Sequence, residues 1–237
     1  MRLMTYNIHK GIGGRDRMYR LERIVDAIRQ EHPDIVCLQE VDRNVKRSGF
    51  DDQPELLAAA LEFEYQAYQF NHRVADGGYG NLVLSRHPIK HRHNLSLRFK
   101  GRKNRRAQLV VVETDQGPVR MINWHLGLSE KERHWQVDKV LQMDRFNRYS
   151  GMPTVVAGDC NDWRNTLHRG ALARHELAQI TAPPSRYRSF PAYMPVGSLD
   201  KAFCCNQVIV QRAHVVASLL TRRASDHLPL VIDLKLA

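Results

Sequence analysis

Residues 154–163 have the sequence TVVAGDCNDW, in which a β-branched run leads into a turn rich in polar side chains. The pattern predicts a buried strand that ends at a sharp turn. Alternate residues of an extended segment face the same side, so we expect Asp159 and Asn161 to share a cleft while Cys160 faces away. A carboxylate can accept a proton from water, and an amide can donate to an oxygen that gains charge. A non-catalytic turn rich in Asp and Asn explains the same residues, so this segment alone does not decide between the two interpretations.

Length and composition limit the classes of protein to consider. The chain has 237 residues, of which 43% are hydrophobic, and no linker-like, low-complexity or repeated segment interrupts it. We therefore expect one α/β domain over residues 1–237. The formal net charge of +11 points to an anionic partner such as a phosphate-bearing substrate, although a basic surface can also serve solubility alone.

The cysteine pattern and the apolar segments bear on the cellular compartment of the protein. The four cysteines show no CxxC spacing, and two of them are adjacent, so neither a zinc knuckle nor a disulfide framework is predicted. No apolar leader begins the chain, and no apolar stretch reaches the roughly 18 residues of a transmembrane segment. We expect reduced thiols and a cytoplasmic protein.

The remaining pattern alternates helices with strands. Apolar residues at 21, 24, 25 and 28 predict an amphipathic helix, a proline in the first turn marks a second helix near 54–61, and Ser129 with Glu132 forms a capping box for a third. A further helix-like piece covers residues 167–177. Residues 108–124 predict a β-hairpin, and the last third predicts strands that include 207–210 and 214–217.

Polar side chains recur where predicted strands end or begin. These residues are Asn7, Glu40, His125, Asp159 with Asn161, and the pair Asp226 and His227. Each is ordinary by itself, because a surface glutamate after a strand or an isolated Asp-His pair is usually structural. Together, oxygen-bearing groups without clustered thiolates indicate a site for a hard cation such as Mg²⁺ or Mn²⁺. Such a cation neutralises phosphate charge, so hydrolysis of a phosphodiester or phosphomonoester is the predicted chemistry.

Two further segments are candidate substrate contacts. Residues 98–106 hold six cations in nine positions, which fits either a solvated loop or a basic edge that attracts phosphate. In the second interpretation Arg105 and Arg106 bind the substrate. Asn81 is also a substrate-binding candidate, although a Gly-Asn pair is common in turns.

Six short motifs occur in a characteristic order along nearly the whole chain. They are TYNIH from residue 5, LQEV from 38, NWHL from 123, GDCN from 158, SLD from 198 and SDHLP from 225. Each is weak alone, but the ordered set resembles the endonuclease/exonuclease/phosphatase superfamily, which is DNase I-like. The NIHKG and GDxNDWR segments are similar to those of small bacterial members.

The resemblance implies a fold and a metal site. The fold would be a four-layer αββα sandwich, in which two packed mixed β-sheets lie between layers of helices and the active site lies at one sheet edge. Glu40 would be the principal Mg²⁺ ligand. Asn7 and Asp226 would assist it, Asp226 at a second position or through water.

The same resemblance assigns catalytic roles. Asp159 would orient and deprotonate the attacking water, and Asn161 would hold a phosphate oxygen. Asp200, which spacing alone does not reveal, would fix the charge of His227, so that the histidine cation stabilises the pentacovalent phosphorus. His125 would hydrogen-bond the phosphate or assist the leaving group.

The chain departs from the family pattern in two places. Nucleases of the family commonly orient the histidine at the position of His125 with a glutamate on the strand around residues 79–85, where this chain has no acid. We expect Asn81 to take that place and to leave His125 less basic. The chain also has no obvious long loop like those that abasic-site nucleases insert into a DNA groove, which weakens a DNA-repair function.

Three functions remain open on the sequence alone. The first is a metal-dependent phosphoesterase, expected to be monomeric, that acts on a small molecule or a phospholipid head group. The second is a nuclease that acts on DNA or RNA. The third is a non-catalytic anion-binding module, which the full set of expected catalytic residues disfavours.

Overall fold

The computed structural model describes residues 1–237. The twelve strands are β1 (Arg2–Asn7), β2 (Ile35–Arg43), β3 (Tyr65–Val74), β4 (Gly77–Ser85), β5 (Ile89–Ser96), β6 (Arg106–Thr114), β7 (Gly117–His125), β8 (Thr154–Asp159), β9 (Ala178–Gln179), β10 (Asp200–Cys204), β11 (Val208–Val215) and β12 (Leu230–Leu236). The six α-helices are α1 (Leu21–Arg29), α2 (Gln53–Leu61), α3 (Glu130–Gln142), α4 (Asp144–Asn147), α5 (Ala171–Arg174) and α6 (Thr221–Ala224).

The strands form two mixed sheets of six strands each. The first sheet has the order β11-β12-β1-β2-β4-β3, and the second has the order β5-β6-β7-β8-β10-β9. In each sheet one central pair is parallel, β1 with β2 and β7 with β8, while the other neighbours are antiparallel. These parallel pairs place the carboxyl ends of four strands at one edge of the two sheets.

Three apolar cores separate four layers. Leu3, Ile35 and Val155 belong to the core between the two sheets. A second core lies between the first sheet and helices α1 and α2, and a third lies between the second sheet and helix α3. The predicted αββα sandwich is therefore confirmed.

The helix patterns in the sequence correspond to buried faces with one exception. In α1 the residues Leu21, Ile24, Val25 and Ile28 are buried, as the spacing predicts. The Ser129 hydroxyl accepts a hydrogen bond from the backbone N–H of Glu132 and caps α3. The predicted helix at 167–177 is wrong for most of its length, because only α5 is α-helical there. None of the helices has the length and apolarity that crossing a bilayer requires.

Gly158 is required where β8 approaches its neighbour most closely. Its φ is +146°, and a Cβ placed there would lie 2.0 Å from the carbonyl oxygen of Trp124 on β7. Only glycine tolerates this contact. The close approach lets Asp159 and His125 occupy directly paired positions at the ends of their strands.

The cysteines give a first testable expectation. Cys37, Cys160 and Cys204 are buried, and Cys205 is half-buried. Burial raises the pKa of the Cys37 thiol to about 12 and that of Cys204 to about 11, and it also raises the pKa of Cys160. Because only the thiolate reacts, an aromatic disulfide reagent at pH 8 should label Cys205 quickly and the other three slowly.

The thiol experiment has a direct control. All four thiols should react together after denaturation in guanidinium chloride, and Cys205→Ser should remove the fast phase from the native protein. Fast labelling of Cys160 in the native protein would contradict the buried position of that side chain behind Asp159.

Candidate active site

The carboxyl ends of the central strands bring the predicted residues together. Asn7 ends β1, His125 ends β7 and Asp159 ends β8, while Asp200 begins β10 opposite Asp159 in the antiparallel register. The segment before β12 adds Asp226 and His227 from the other sheet. Residues up to 220 positions apart in the chain therefore surround one group, the carboxylate of Asp159.

Asp159 is the centre of this arrangement. Its Oδ2 accepts a hydrogen bond from the side-chain amide of Asn7 at 3.0 Å and lies 3.3 Å from Nε2 of His125 and 3.7 Å from Nε2 of His227. Its Oδ1 accepts a hydrogen bond from the backbone N–H of Asn161 at 2.9 Å. The carboxylate is thus held by contacts from four separate positions of the chain.

Burial gives this carboxylate the protonation behaviour of a base. Asp159 is 1% exposed, and burial raises its pKa to about 6, against the opposing effect of the charge on His227. A carboxylate with a raised pKa accepts a proton more readily than an exposed one and is still ionised at neutral pH. The site therefore contains a base suited to activating water.

His227 and Asp200 form a buried ion pair. Nδ1 of His227 lies 2.8 Å from Oδ2 of Asp200, and the hydroxyl of Ser189 donates to the same oxygen. Burial alone lowers the pKa of His227, but the carboxylates of Asp200 and Asp159 outweigh it and raise the pKa to about 10. His227 is therefore a fixed cation at neutral pH, with Nε2 facing Asp159.

His125 has the opposite electrostatic character. Burial, followed by the positive charge of Arg105, lowers its pKa well below the ordinary value for histidine. Its Nδ1 is buried without a hydrogen-bond partner and lies 3.9 Å from Oε1 of Glu40. His125 is accordingly neutral, and the cause is burial and Arg105 rather than Asn81.

Asn81 makes no hydrogen bond with His125, although the sequence suggested that it would orient that ring. Its amide donates to the backbone carbonyl of Arg106 at 3.2 Å and accepts from Asn71 at 2.8 Å, and the residue is fully buried. These bonds hold the start of β6 against β4. The structure thus places Asn81 behind the cleft, among groups that support it.

Glu40 reaches the site through a bulge. The sequence predicts that β2 ends at Glu40, but the strand continues to Arg43, and its pairing with β4 shifts register between Leu38 and Val41. Glu40 has a left-handed φ of 56° at this bulge, which turns its side chain out of the normal alternation. The predicted strand end is therefore wrong, while the predicted placement of the carboxylate near the other site residues is observed.

Glu40, Asn7 and Asp226 are the oxygen-bearing groups that fit a cation. The ammonium of Lys10 contacts Glu40 directly, so a positive charge already lies against this carboxylate. Burial would raise the pKa of Glu40, but the ammonium of Lys10 lowers it well below its ordinary range. Asp226 is half-buried, with Oδ2 3.8 Å from Nε2 of His9. Carboxylate and amide oxygens of this kind are the donors that Mg²⁺ and Mn²⁺ prefer.

A second group of donors also has the spacing of a metal site. The ligand atoms of Asp159, Asp200 and His227 all lie within 4.8 Å of one another. Within this group His227 already bonds Asp200, which also accepts from Ser189, so two of the three ligands have other partners. The ligands around Glu40 also have other partners, since Glu40 contacts Lys10 and the amide oxygen of Asn7 accepts from the backbone N–H of His9 at 3.1 Å. Both groups therefore remain candidates for a metal site.

The other predicted residues lie at the border of the site. The amide of Asn161 donates to the carbonyl of Leu126 at 3.0 Å and so holds the segment that follows His125. Arg105 lines a cleft beside Gly127 and Ser129, whereas Arg106 lines a different cleft with Gln69 and Asn71. The two arginines therefore contribute to different surfaces.

Three functional neighbours lack a strong signal in the sequence. Lys10 follows the NIH segment, and its adjacency to that motif is the one available clue. Ser189 is an ordinary serine in a loop. The ring of Phe190 lies 4.8 Å from that of His227 and 5.9 Å from the exposed ring of Trp163. The contacts of Ser189 and Phe190 form because the loop of residues 183–197 packs against Asp200 and His227.

Comparison with known proteins agrees with the fold and with the order of the site residues. Residues 4–227 match the model of the endonuclease/exonuclease/phosphatase family. The uncharacterised protein YbhP of Escherichia coli strain K12 is 32% identical over 248 residues, an alignment that covers 99% of this chain and 96% of YbhP.

Solved structures show the same architecture. The endonuclease/exonuclease/phosphatase from Beutenbergia cavernae is 27% identical with a TM-score of 0.86, covering 100% of this chain and 72% of that one. The mannosyl-6-phosphatase of Bacteroides thetaiotaomicron is 18% identical with a TM-score of 0.78, covering 99% of both chains. The fold and the site define a DNase I-like α/β sandwich of the phosphoesterase type. The chain belongs to the endonuclease/exonuclease/phosphatase family.

Proposed function

We propose that the protein is a Mg²⁺-dependent phosphoesterase that hydrolyses a phosphodiester or phosphomonoester. The observation that carries this proposal is the position of Asp159, whose buried carboxylate lies between a neutral His125 and a cationic His227 with Glu40 close by. A base next to a fixed cation, with the carboxylate of Glu40 close by, suits attack of water on phosphorus.

Each residue of the site has a separate role in the proposed reaction. Asp159 takes the proton of the attacking water as the new oxygen–phosphorus bond forms and the bond to the ester oxygen breaks. His227, kept charged by Asp200, stabilises the negative charge that accumulates on the phosphoryl oxygens. Asn161 and the neutral His125 act through hydrogen bonds, because neither carries charge near neutral pH.

The metal would be held by Glu40, Asn7 and Asp226. A bound Mg²⁺, or Mn²⁺ in its place, would neutralise phosphate charge and stabilise the leaving oxygen. Lys10 would then leave Glu40 and remain as a positive charge at the border of the site. Its contact with Glu40 in the structure supports a cation-binding role for this carboxylate.

Positive charge around the cleft supports an anionic substrate. The net charge of +11 raises the local concentration of anions, and Arg105 and Arg106 provide cations in neighbouring clefts. The Bacteroides relative is called a mannosyl-6-phosphatase, which is consistent with a small phosphate ester as substrate. Nucleic acid is the second candidate, because the six cations of residues 98–106 could follow a phosphate backbone.

The metal requirement can be tested with Glu40→Gln. We expect about a hundredfold loss of kcat toward a generic phosphodiester with Mg²⁺, since the substitution keeps the shape but removes the charge of the principal ligand. EDTA should abolish activity of the unmodified protein, and added Mg²⁺ or Mn²⁺ should restore it.

A matched control is Glu113→Gln, which removes an exposed carboxylate far from the cleft on β6. That variant should keep full activity. If EDTA left hydrolysis unchanged, or if both glutamine variants behaved alike, the proposed metal dependence would be wrong. A parallel assay on plasmid DNA, single-stranded RNA, phospholipid and inositol phosphates separates the two candidate substrates.

A further inference from the structure

Arg105 is a buried cation without a partner. The residue is 6% exposed, and no carboxylate lies within the 4.0 Å of an ion pair from its guanidinium. It lies close enough to His125 to lower the pKa of that ring. Its guanidinium makes no hydrogen bond within the protein and its nitrogens are not fully enclosed, so Arg105 can bind an anion beside His125.

Tyr79 marks a second unsatisfied polar group nearby. The residue is 4% exposed, and its hydroxyl is buried without a hydrogen-bond partner. Three cations surround its ring, with Lys103 at 5.1 Å, Arg47 at 5.5 Å and Lys10 at 5.7 Å from the ring centre. Positive charge is therefore concentrated on the side of the cleft where Glu40 lies.

Counting charges shows which of these cations are free. Lys10 is paired with Glu40, and Arg47 is paired with Asp42 at 2.6 Å. Lys103, like Arg105, has no carboxylate within ion-pair distance. Lys103 and Arg105 line one cleft of about 390 Å³ together with Arg102, which is also unpaired, and the carboxylate of Glu132.

The loop that carries these cations is anchored. The ring of Phe99 packs edge-on against Trp135 of α3 with ring centres 5.1 Å apart, and the backbone N–H of Leu97 donates to the carbonyl of Arg105 at 3.0 Å. The cleft also includes Ser129, at the start of α3. The backbone on either side of Lys103 is thus held in place, which lowers the entropic cost of binding an anion there.

We propose that Lys103 and Arg105 form a second anion-binding subsite beside the catalytic centre, and that the substrate carries a second phosphate that binds there. The inference rests on the proposed phosphoesterase function and narrows its substrate class to esters with two neighbouring phosphate groups. The guanidinium of Arg105 can bind phosphate through two hydrogen bonds, and Lys103 adds a mobile point charge. The second phosphate could belong to a polyphosphorylated small molecule or to the next nucleotide of a nucleic acid.

Non-hydrolysable ligands test the subsite by affinity alone. Calorimetric titration in Mg²⁺ would compare methylphosphonate, which has one phosphonate, with alkane bisphosphonates whose linkers range from one to four carbons. We expect at least one bisphosphonate to bind about tenfold more tightly than methylphosphonate. Lys103→Ala should remove most of that advantage.

The matched control is Lys90→Ala, which removes one exposed positive charge at the far end of β5. The inference is overturned if no bisphosphonate binds better than methylphosphonate, or if Lys103→Ala loses no more affinity than Lys90→Ala. Since no turnover is involved, the result is independent of the hydrolysis assay that tests the proposed function.

Natural ligands then distinguish the two sources of the second phosphate. Affinities are compared for inositol 1-phosphate against inositol 4,5-bisphosphate, and for thymidine monophosphate against the dinucleotide pTpT. An advantage that depends on Lys103 and appears only with the inositol bisphosphate assigns the subsite to a small molecule. The same advantage only with pTpT assigns it to nucleic acid.

Discussion

Asp159→Asn is expected to lower kcat about a thousandfold while the protein stays folded. The substitution keeps the size of the side chain and removes the oxygen that takes the proton from water, and single groups of this kind contribute factors of this order. The measurement is Mg²⁺-dependent hydrolysis of a phosphodiester under saturating substrate.

The stability of the same variant separates a catalytic role from a structural one. Because burial raises the pKa of Asp159 to about 6 from the ordinary 3.8, the folded state holds this proton more tightly than the unfolded state. The resulting stability is present below about pH 3.8 and is lost as the pH rises through about 6. Asparagine carries no charge, so in EDTA at pH 8 the variant should unfold at the same temperature as the unmodified protein or at a higher one.

Two results would contradict this assignment. Activity within tenfold of the unmodified protein would show that another group activates water. A large drop in unfolding temperature at pH 8 would show that Asp159 holds the fold together and that its effect on activity is indirect.

Asp200→Asn is expected to have the largest effect on stability, about 3 kcal/mol at neutral pH. Removing one partner of a buried ion pair leaves the other charge without compensation, and Asp200 is fully buried beside His227. Activity should also fall, because His227 would no longer be kept in its charged form.

The pH dependence of the unfolding free energy tests whether the His227–Asp200 ion pair causes this loss of stability. The pKa of His227 is raised from 6.5 to about 10, so the stability from its charge is fully present below about pH 6.5 and is lost as the pH rises through about 10. The difference in unfolding free energy between the two proteins should therefore be largest near pH 6.5 and shrink toward pH 10.

Asp233→Asn is the matched control for this experiment. Asp233 pairs with Arg2 at 2.7 Å in a partly exposed position, where such pairs contribute at most about 1 kcal/mol. The hydrogen bond from Arg2 lowers the pKa of Asp233. The stability that this pair contributes is therefore fully present above the ordinary carboxyl pKa and stays constant from pH 6.5 to 10. If the unfolding free energies of Asp200→Asn and of the unmodified protein changed in parallel from pH 6.5 to 10, the charge of His227 would not depend on Asp200.

Local sequence was sufficient to predict the strands at the centre of each sheet. The apolar run before Asp159 and the hairpin of β6 and β7 were both predicted, because these strands are buried and their composition differs from that of loops. Strands β3 and β5 were missed. Each lies at the edge of a sheet, where one side of the strand meets solvent and polar residues interrupt the apolar pattern.

The placement of the site residues was predictable to the extent that it follows from strand ends. Asn7, His125 and Asp159 occupy the last positions of their strands, as the sequence indicated. Glu40 lies at a bulge instead, since the shift in pairing between β2 and β4 comes from contacts with a distant strand. Nothing local to residues 38–41 distinguishes a bulge from an end.

The sequence by itself indicated the family and the polar groups at the strand ends, because these depend on short motifs and on local patterns, and the resemblance to that family implied the layers of the sandwich. Only the tertiary structure decided which groups touch, including the ion pair of His227 with Asp200 and the unpaired state of Arg105. Such contacts join residues that are far apart in the chain. Burial and the charges of neighbours then set whether each group is an acid, a base or a fixed cation, and a list of residues does not contain that information.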